Sequence, residues 1–134
     1  MQYTHNGIYT YIEGKVNTDT RPLYCTGDYE PVPSEFPCAY IHETDHRQML
    51  NAVTLNFTDD QKVMSWEVQV FSNLTDGALD ECYEIMSDIE SAFKELYFVE
   101  ISCSERPNID PSVKRVIAQF TRVFGNGDQM PDFN

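Results

Sequence analysis

Apolar residues recur along the chain with periods that change from segment to segment, and those periods predict its elements. Ile8, Tyr9, Tyr11, Ile12 and Val16 have helical spacing, which predicts a short helix over 5–17 despite Gly7 and Gly14. Thr18-Asp-Thr-Arg-Pro ends it. Leu23-Tyr-Cys-Thr reads as a short strand and Gly27-Asp28 as a turn. Three prolines between Glu30 and Pro37 then force an extended, irregular connection before a strand at Cys38–Glu43. Residues 44–62 are polar and without period. They read as a long hairpin loop, with a strand at Val53–Phe57 as an option inside it.

The second half is more regular. Met64, Trp66, Val68 and Val70 alternate with Ser65, Glu67 and Gln69, the pattern of a half-buried strand. Leu79, Cys82, Tyr83, Met86, Ile89, Phe93, Leu96 and Tyr97 fall at steps of three and four, predicting a helix over 76–97 with an acidic outer face. Phe98–Ser104 reads as a strand with Val99, Ile101 and Cys103 on one face. A turn at Arg106–Pro111 leads to a last strand over 113–124, where Val116, Ala118, Phe120 and Phe124 share a face. Residues 125–134 read as a loose tail. The order α-β-β-β-α-β-β cannot be divided into βαβ units. It predicts one α+β domain, 1–134: a mostly antiparallel sheet of about five strands with the long helix packed on one face.

Composition narrows the functions available. Nine Lys+Arg stand against 22 Asp+Glu, a net charge of −13, so gripping DNA phosphates or an anionic membrane is disfavoured. No apolar run has the length of a membrane span, and the first residues lack the basic-then-apolar pattern of a secretory signal. Asn56-Phe-Thr and Asn73-Leu-Thr then read as chance sequons. Cys25, Cys38, Cys82 and Cys103 include no C-x-x-C and read as reduced core thiols, a Cys25–Cys38 disulfide being the alternative.

One short motif has the form of a catalytic centre. His42-Glu43-Thr44-Asp45-His46 is an H-E-x-x-H, which on a helix would hold zinc between the histidines with Glu43 as base. The residues leading into it have strand character, however. On a strand the two histidines lie ~13 Å apart at ~3.3 Å per residue, too far to share a metal. No catalytic residue, cofactor or metal site is therefore expected, and the chain is not read as an enzyme. A small zinc hydrolase and a monomeric adaptor domain stand as the alternatives.

The charges are unevenly spread. Twelve acids lie between Asp59 and Glu105, whereas Arg106, Lys114, Arg115 and Arg122 follow with only Asp110 among them. That division suits head-to-tail contact between copies in a closed ring as well as ordinary intramolecular pairing. The apolar-tinged Arg47, Gln48, Met49 and Leu50 in the polar loop form a second candidate contact, with a neighbouring copy or another partner.

Three segments, in order and spacing, resemble the tail-terminator and tail-completion proteins of tailed bacteriophages. They are Tyr24-Cys-Thr-Gly-Asp-Tyr-Glu-Pro-Val-Pro-Ser-Glu-Phe-Pro-Cys, Trp66-Glu-Val-Gln-Val-Phe-Ser-Asn running into Gly77-Ala and the long helix, and Arg106-Pro-Asn-Ile-Asp-Pro-Ser-Val-Lys-Arg-Val-Ile-Ala-Gln-Phe-Thr. The likeness spans residues 24–124. It implies a structural virion protein, assembled in the host cytoplasm as a hexameric ring. Such a ring caps the tail tube, joins it to the head-side connector or neck protein, and lets DNA pass through its lumen without specific binding. The first helix departs from the family in holding only Lys15 as a base, and 44–62 matches no family pattern.

Overall fold

The computed structural model describes residues 4–48, 62–108 and 110–124. The elements run α1 (His5–Val16), β1 (Tyr24–Thr26), β2 (Cys38–Gln48), β3 (Lys62–Ser72), α2 (Ala78–Glu95), β4 (Val99–Arg106) and β5 (Lys114–Phe124). The five strands form one sheet in the order β1-β2-β3-β5-β4. Among the described residues the β1–β2 pair is parallel, and β2–β3, β3–β5 and β4–β5 are antiparallel. This is the α+β architecture the periodicities predict. The strand option at 53–57, the candidate contacts Met49 and Leu50, and the tail 125–134 lie outside the described residues.

α1 starts where Thr4 accepts the Gly7 N–H on its hydroxyl at 3.0 Å. It buries Ile8, Tyr11, Ile12 and Val16. α2 begins at Gly77, whose φ of 81° needs no Cβ to avoid. It ends at Tyr97, which takes a left-handed φ of 66° and donates its N–H to the Lys94 carbonyl at 2.9 Å. Both helices lie on one face of the sheet, over Ala39, Ile41, Met64, Trp66, Val68, Val70, Val116, Ala118 and Phe120. Phe93 is at the centre, stacked on Phe120 at 4.3 Å and edge-on to Phe98 at 5.3 Å.

The buried stripe of α2 is Ala78, Cys82, Ile85, Met86, Ile89, Ala92 and Phe93. Tyr83 and Tyr97, expected on it, are exposed. At roughly 100° per residue Tyr83 falls about 120° from Ile89, outside the stripe, and the left-handed turn carries Tyr97 out of the helix.

Two further expectations are corrected and one alternative, the Cys25–Cys38 disulfide, is excluded. Residues 44–48 belong to β2: a register shift between Glu43 and Asp45 breaks the alternation, so the strand's second half does not look like one in sequence. β4 has a similar shift between Glu100 and Ser102. Val99, opposite Thr121, therefore lies on the helix-free face, Cys103, opposite Ala118, on the helix face, and Ile101 is left exposed. Lastly, Cys25 is level with Ala39 while Cys38 is level with Tyr24. The two thiols thus belong to opposite faces and cannot pair, and all four cysteines are free.

The proline-rich connection does a job the sequence leaves unassigned. On the helix-free face, Cys38, Phe71 and Val113 form a second buried cluster, with Phe36, Tyr24 and Tyr40 packed on it. Tyr24 donates its hydroxyl to Glu30 at 2.5 Å, tying this segment to β1.

Candidate functional site

Beside that cluster the helix-free face turns polar. Register places Tyr40 opposite Gln69, and His42 opposite Glu67, which in turn faces Gln119. Glu67 is the hub. His42 Nε2 lies 3.2 Å from Oε1, Gln69 donates to the same oxygen at 2.9 Å, and Gln119 donates to Oε2 at 3.5 Å. Burial acts to raise the Glu67 pKa, but the bonds from Gln69 and His42, the His42 charge and the Gln119 bond outweigh it, so the carboxyl stays below its usual value. An ionised carboxylate only accepts, which assigns the imidazole proton to Nε2. Tyr40 stacks on His42 at 4.2 Å with planes 5° apart, and exposed Tyr29 leans on Tyr40 at 5.6 Å. The result is a charged, aromatic-edged patch on the helix-free face. The sequence hides it because bonded partners such as Glu67 and Gln119 sit 52 residues apart and meet through strand register.

The His42-Glu43-x-x-His46 motif lies within β2, so the helix a zinc site requires is not formed. Position 46 is opposite Met64 and His42 opposite Glu67, and these belong to opposite faces of the sheet. Glu43 is opposite Trp66, facing the helices. Among the described residues the one group with converging ligand atoms is Glu90, Glu100 and Cys103, whose atoms lie within 4.8 Å of one another where α2 meets β4.

The candidate interface residues separate. Arg106 and Lys114 are exposed on the β4–β5 hairpin. Arg115 is used within the fold: it donates to Gln69 at 3.3 Å and to the Pro107 carbonyl at 2.7 Å. Arg122 likewise donates to the Leu96 carbonyl at 3.0 Å and sits over the Tyr97 ring at 5.4 Å. Arg47 and Gln48 occupy the end of β2 rather than a loop.

The acidic side of α2 is partly matched from within the chain. Lys15 pairs with Glu95 at 3.3 Å, and Arg21 pairs with Glu84 and Asp88. Glu95 also accepts the Tyr11 hydroxyl, the main cause of its lowered pKa. No helix among the described residues is long and apolar enough to cross a membrane. No protein-family model matches the chain, and no curated protein matches it significantly.

Proposed function

We propose that the chain is a structural, ring-forming component of a phage tail, a terminator or completion protein that caps the tail tube and meets the head-side connector. The observation that carries this reading is the state of the sheet's two edges. β1 covers β2 only at Cys38–Tyr40, so among the described residues the outer edge of β2 from Ile41 to Gln48 has no strand partner. At the opposite edge β4 pairs on one side only among the described residues, and Val99 and Ile101 on it are 63% and 57% exposed, with Tyr97 and Val123 exposed nearby. Long edges with apolar residues invite strand pairing with another chain.

β2 and β4 run in opposite directions. Copies related by rotation about an axis along the strands would therefore set β4 of one antiparallel to β2 of the next, a heterologous contact that closes into a ring. The resemblance over 24–124 supports the same reading, and a net charge of −13 suits a lumen that DNA must traverse without sticking. Arg106 and Lys114, exposed on the β4–β5 hairpin, are cations that could steer one copy to the next.

The test is tube growth. Tail-tube protein polymerised with the chain present should give shorter tubes, each capped at one end by a ring. Tubes of unchanged length with bare ends would overturn the proposal, and a one-to-one complex would favour the adaptor domain.

A further inference from the structure

The backbone groups on the sheet's two edges have a definite direction. The Tyr24 N–H donates to the Pro37 carbonyl at 3.0 Å, so that carbonyl points to the β1 side of β2. Peptide groups alternate along a strand, so Ala39, Ile41 and Glu43 point the same way, to the outer edge. Ala39 is level with Val70, Val70 with Val116, and Val116 with Glu105. Carried across these pairs, the alternation turns Val70 towards β5, Val116 back towards β3 and Glu105 away from β5. Cys103 and Glu105 therefore present their N–H and C=O groups to the outer edge of β4. Ile41, Glu43, Cys103 and Glu105 are level with Val68, Trp66, Ala118 and Val116, so all four lie on the helix-facing side. Antiparallel bonding between the two edges thus joins helix-facing residues to helix-facing residues.

Two features fix the register. β1 occupies β2 at Cys38–Tyr40, and an added Cβ on Gly27, where β1 leaves, would lie 3.9 Å from the Ile41 carbonyl. Each edge strand also holds one extra residue, Thr44 between Glu43 and Asp45, and Ile101 between Glu100 and Ser102. With Ile41 level with Glu105, Glu43 is level with Cys103 and position 46 with Glu100. Two residues of each strand then lie between the last two pairs, so the extra residues cancel and the faces stay matched. Sliding β4 two residues one way drives Ser104–Arg106 onto Cys38–Tyr40, which β1 already holds. Sliding it two residues the other way sets Asp45 level with Cys103, on opposite faces.

We propose that a second copy of this chain docks its β4 on the outer edge of β2, antiparallel, with Ile41 level with Glu105 and His42 level with Ser104. The sheet then runs on from copy to copy with every helix on the same side. This deepens the ring reading above and rests on it. The residues brought level agree with the register: half-buried His42 meets half-buried Ser104, and a histidine at 46 comes level with the acidic Glu100.

His42 and Ser104 form a pair without mutual backbone bonds, with Cα atoms ~4.5 Å apart, a separation a disulfide spans. The test is a cross-linking scan of the full chain assembled on tube ends, oxidised with diamide, its disulfides mapped by mass spectrometry. His42→Cys is combined in turn with Ser102→Cys, Ser104→Cys and Arg106→Cys, and electron microscopy scores rings in each sample. The Ser104→Cys combination should give a ladder of chains linked through 42 and 104, and the other two only traces. Because His42→Cys removes a partner of Glu67, the native chain is followed as well, by amide hydrogen exchange. The Cys103 and Glu105 amides should slow on assembly, while that of Ser104, which points to β5, keeps its rate. Rings linked chiefly through 102 or 106, or rings whose Cys103 and Glu105 amides exchange as fast as in the single chain, would overturn the pairing and leave the ring reading standing. Bare tube ends with no links in any combination would defeat both.

Discussion

Phe93 touches Trp66, Phe98 and Phe120 and has no exposed surface, so it carries more of the core than any single aliphatic residue. Phe93→Ala should cost about 3–5 kcal/mol in denaturant unfolding, and a loss under about 1 kcal/mol would mean the stack is not packed as described. Gly14 poses the opposite case. An added Cβ there meets nothing within 4 Å, and its φ is helical, so Gly14→Ala should stabilise the chain by about 0.5–1 kcal/mol; a fall in stability would contradict the placement of α1. The thiols make a third test. Burial pushes Cys25, Cys38 and Cys82 up to about 12, so all should alkylate slowly at neutral pH in the folded chain and quickly once unfolded. Rapid labelling of Cys25 in the native protein would contradict its burial. Arg115 could be read as a surface cation from sequence because a charged residue in an exposed turn and one bonded to Gln69 look alike there. Its bond to the Pro107 carbonyl means that Arg115→Glu would disturb the hairpin itself, so Arg106→Glu is the cleaner probe of contact between copies.

Elements with one uninterrupted period were legible in the sequence, and those with a register shift were only partly so. β3 alternates without a break over Met64–Val70, and α2 keeps its stripe from Ala78 to Phe93; both emerge as the periodicities require. β2 and β4 each carry a shift, and there the sequence pattern departs from the structure: for β2 in its length, for β4 in which side chains face the helices. The polar patch around Glu67 was illegible for another reason. His42, Glu67 and Gln119 come from three strands, and only pairing brings them together. That arrangement suggests a check on β2. His42→Gln removes a charge and a hydrogen bond that hold the Glu67 carboxyl down, so Glu67 should titrate at higher pH by NMR in the variant. An unchanged titration would show that the two side chains do not meet in solution. At the edge, Val99→Lys with Ile101→Lys places two charges on exposed positions of β4, which should leave folding intact and prevent strand pairing between copies.

A net charge of −13 on each copy opposes assembly of the whole molecule, and internal pairs such as Lys15–Glu95 and Arg21–Asp88 relieve only part of it. Repulsion of this kind is screened over about 10 Å at 0.1 M salt. The free chain should therefore stay monomeric at low salt and close into rings as salt rises or where a tube end supplies a template. Assembly that weakens with salt would mean that Arg106 and Lys114 contacts outweigh the net repulsion. The most direct measurement of ring formation is end-on electron microscopy of tail tubes assembled with the native chain and with the Val99→Lys, Ile101→Lys variant. A six-fold ring on native tube ends, absent with the variant, is the expected result. Bare native ends, or rings that survive the edge substitutions unchanged, would contradict ring closure through the sheet edges.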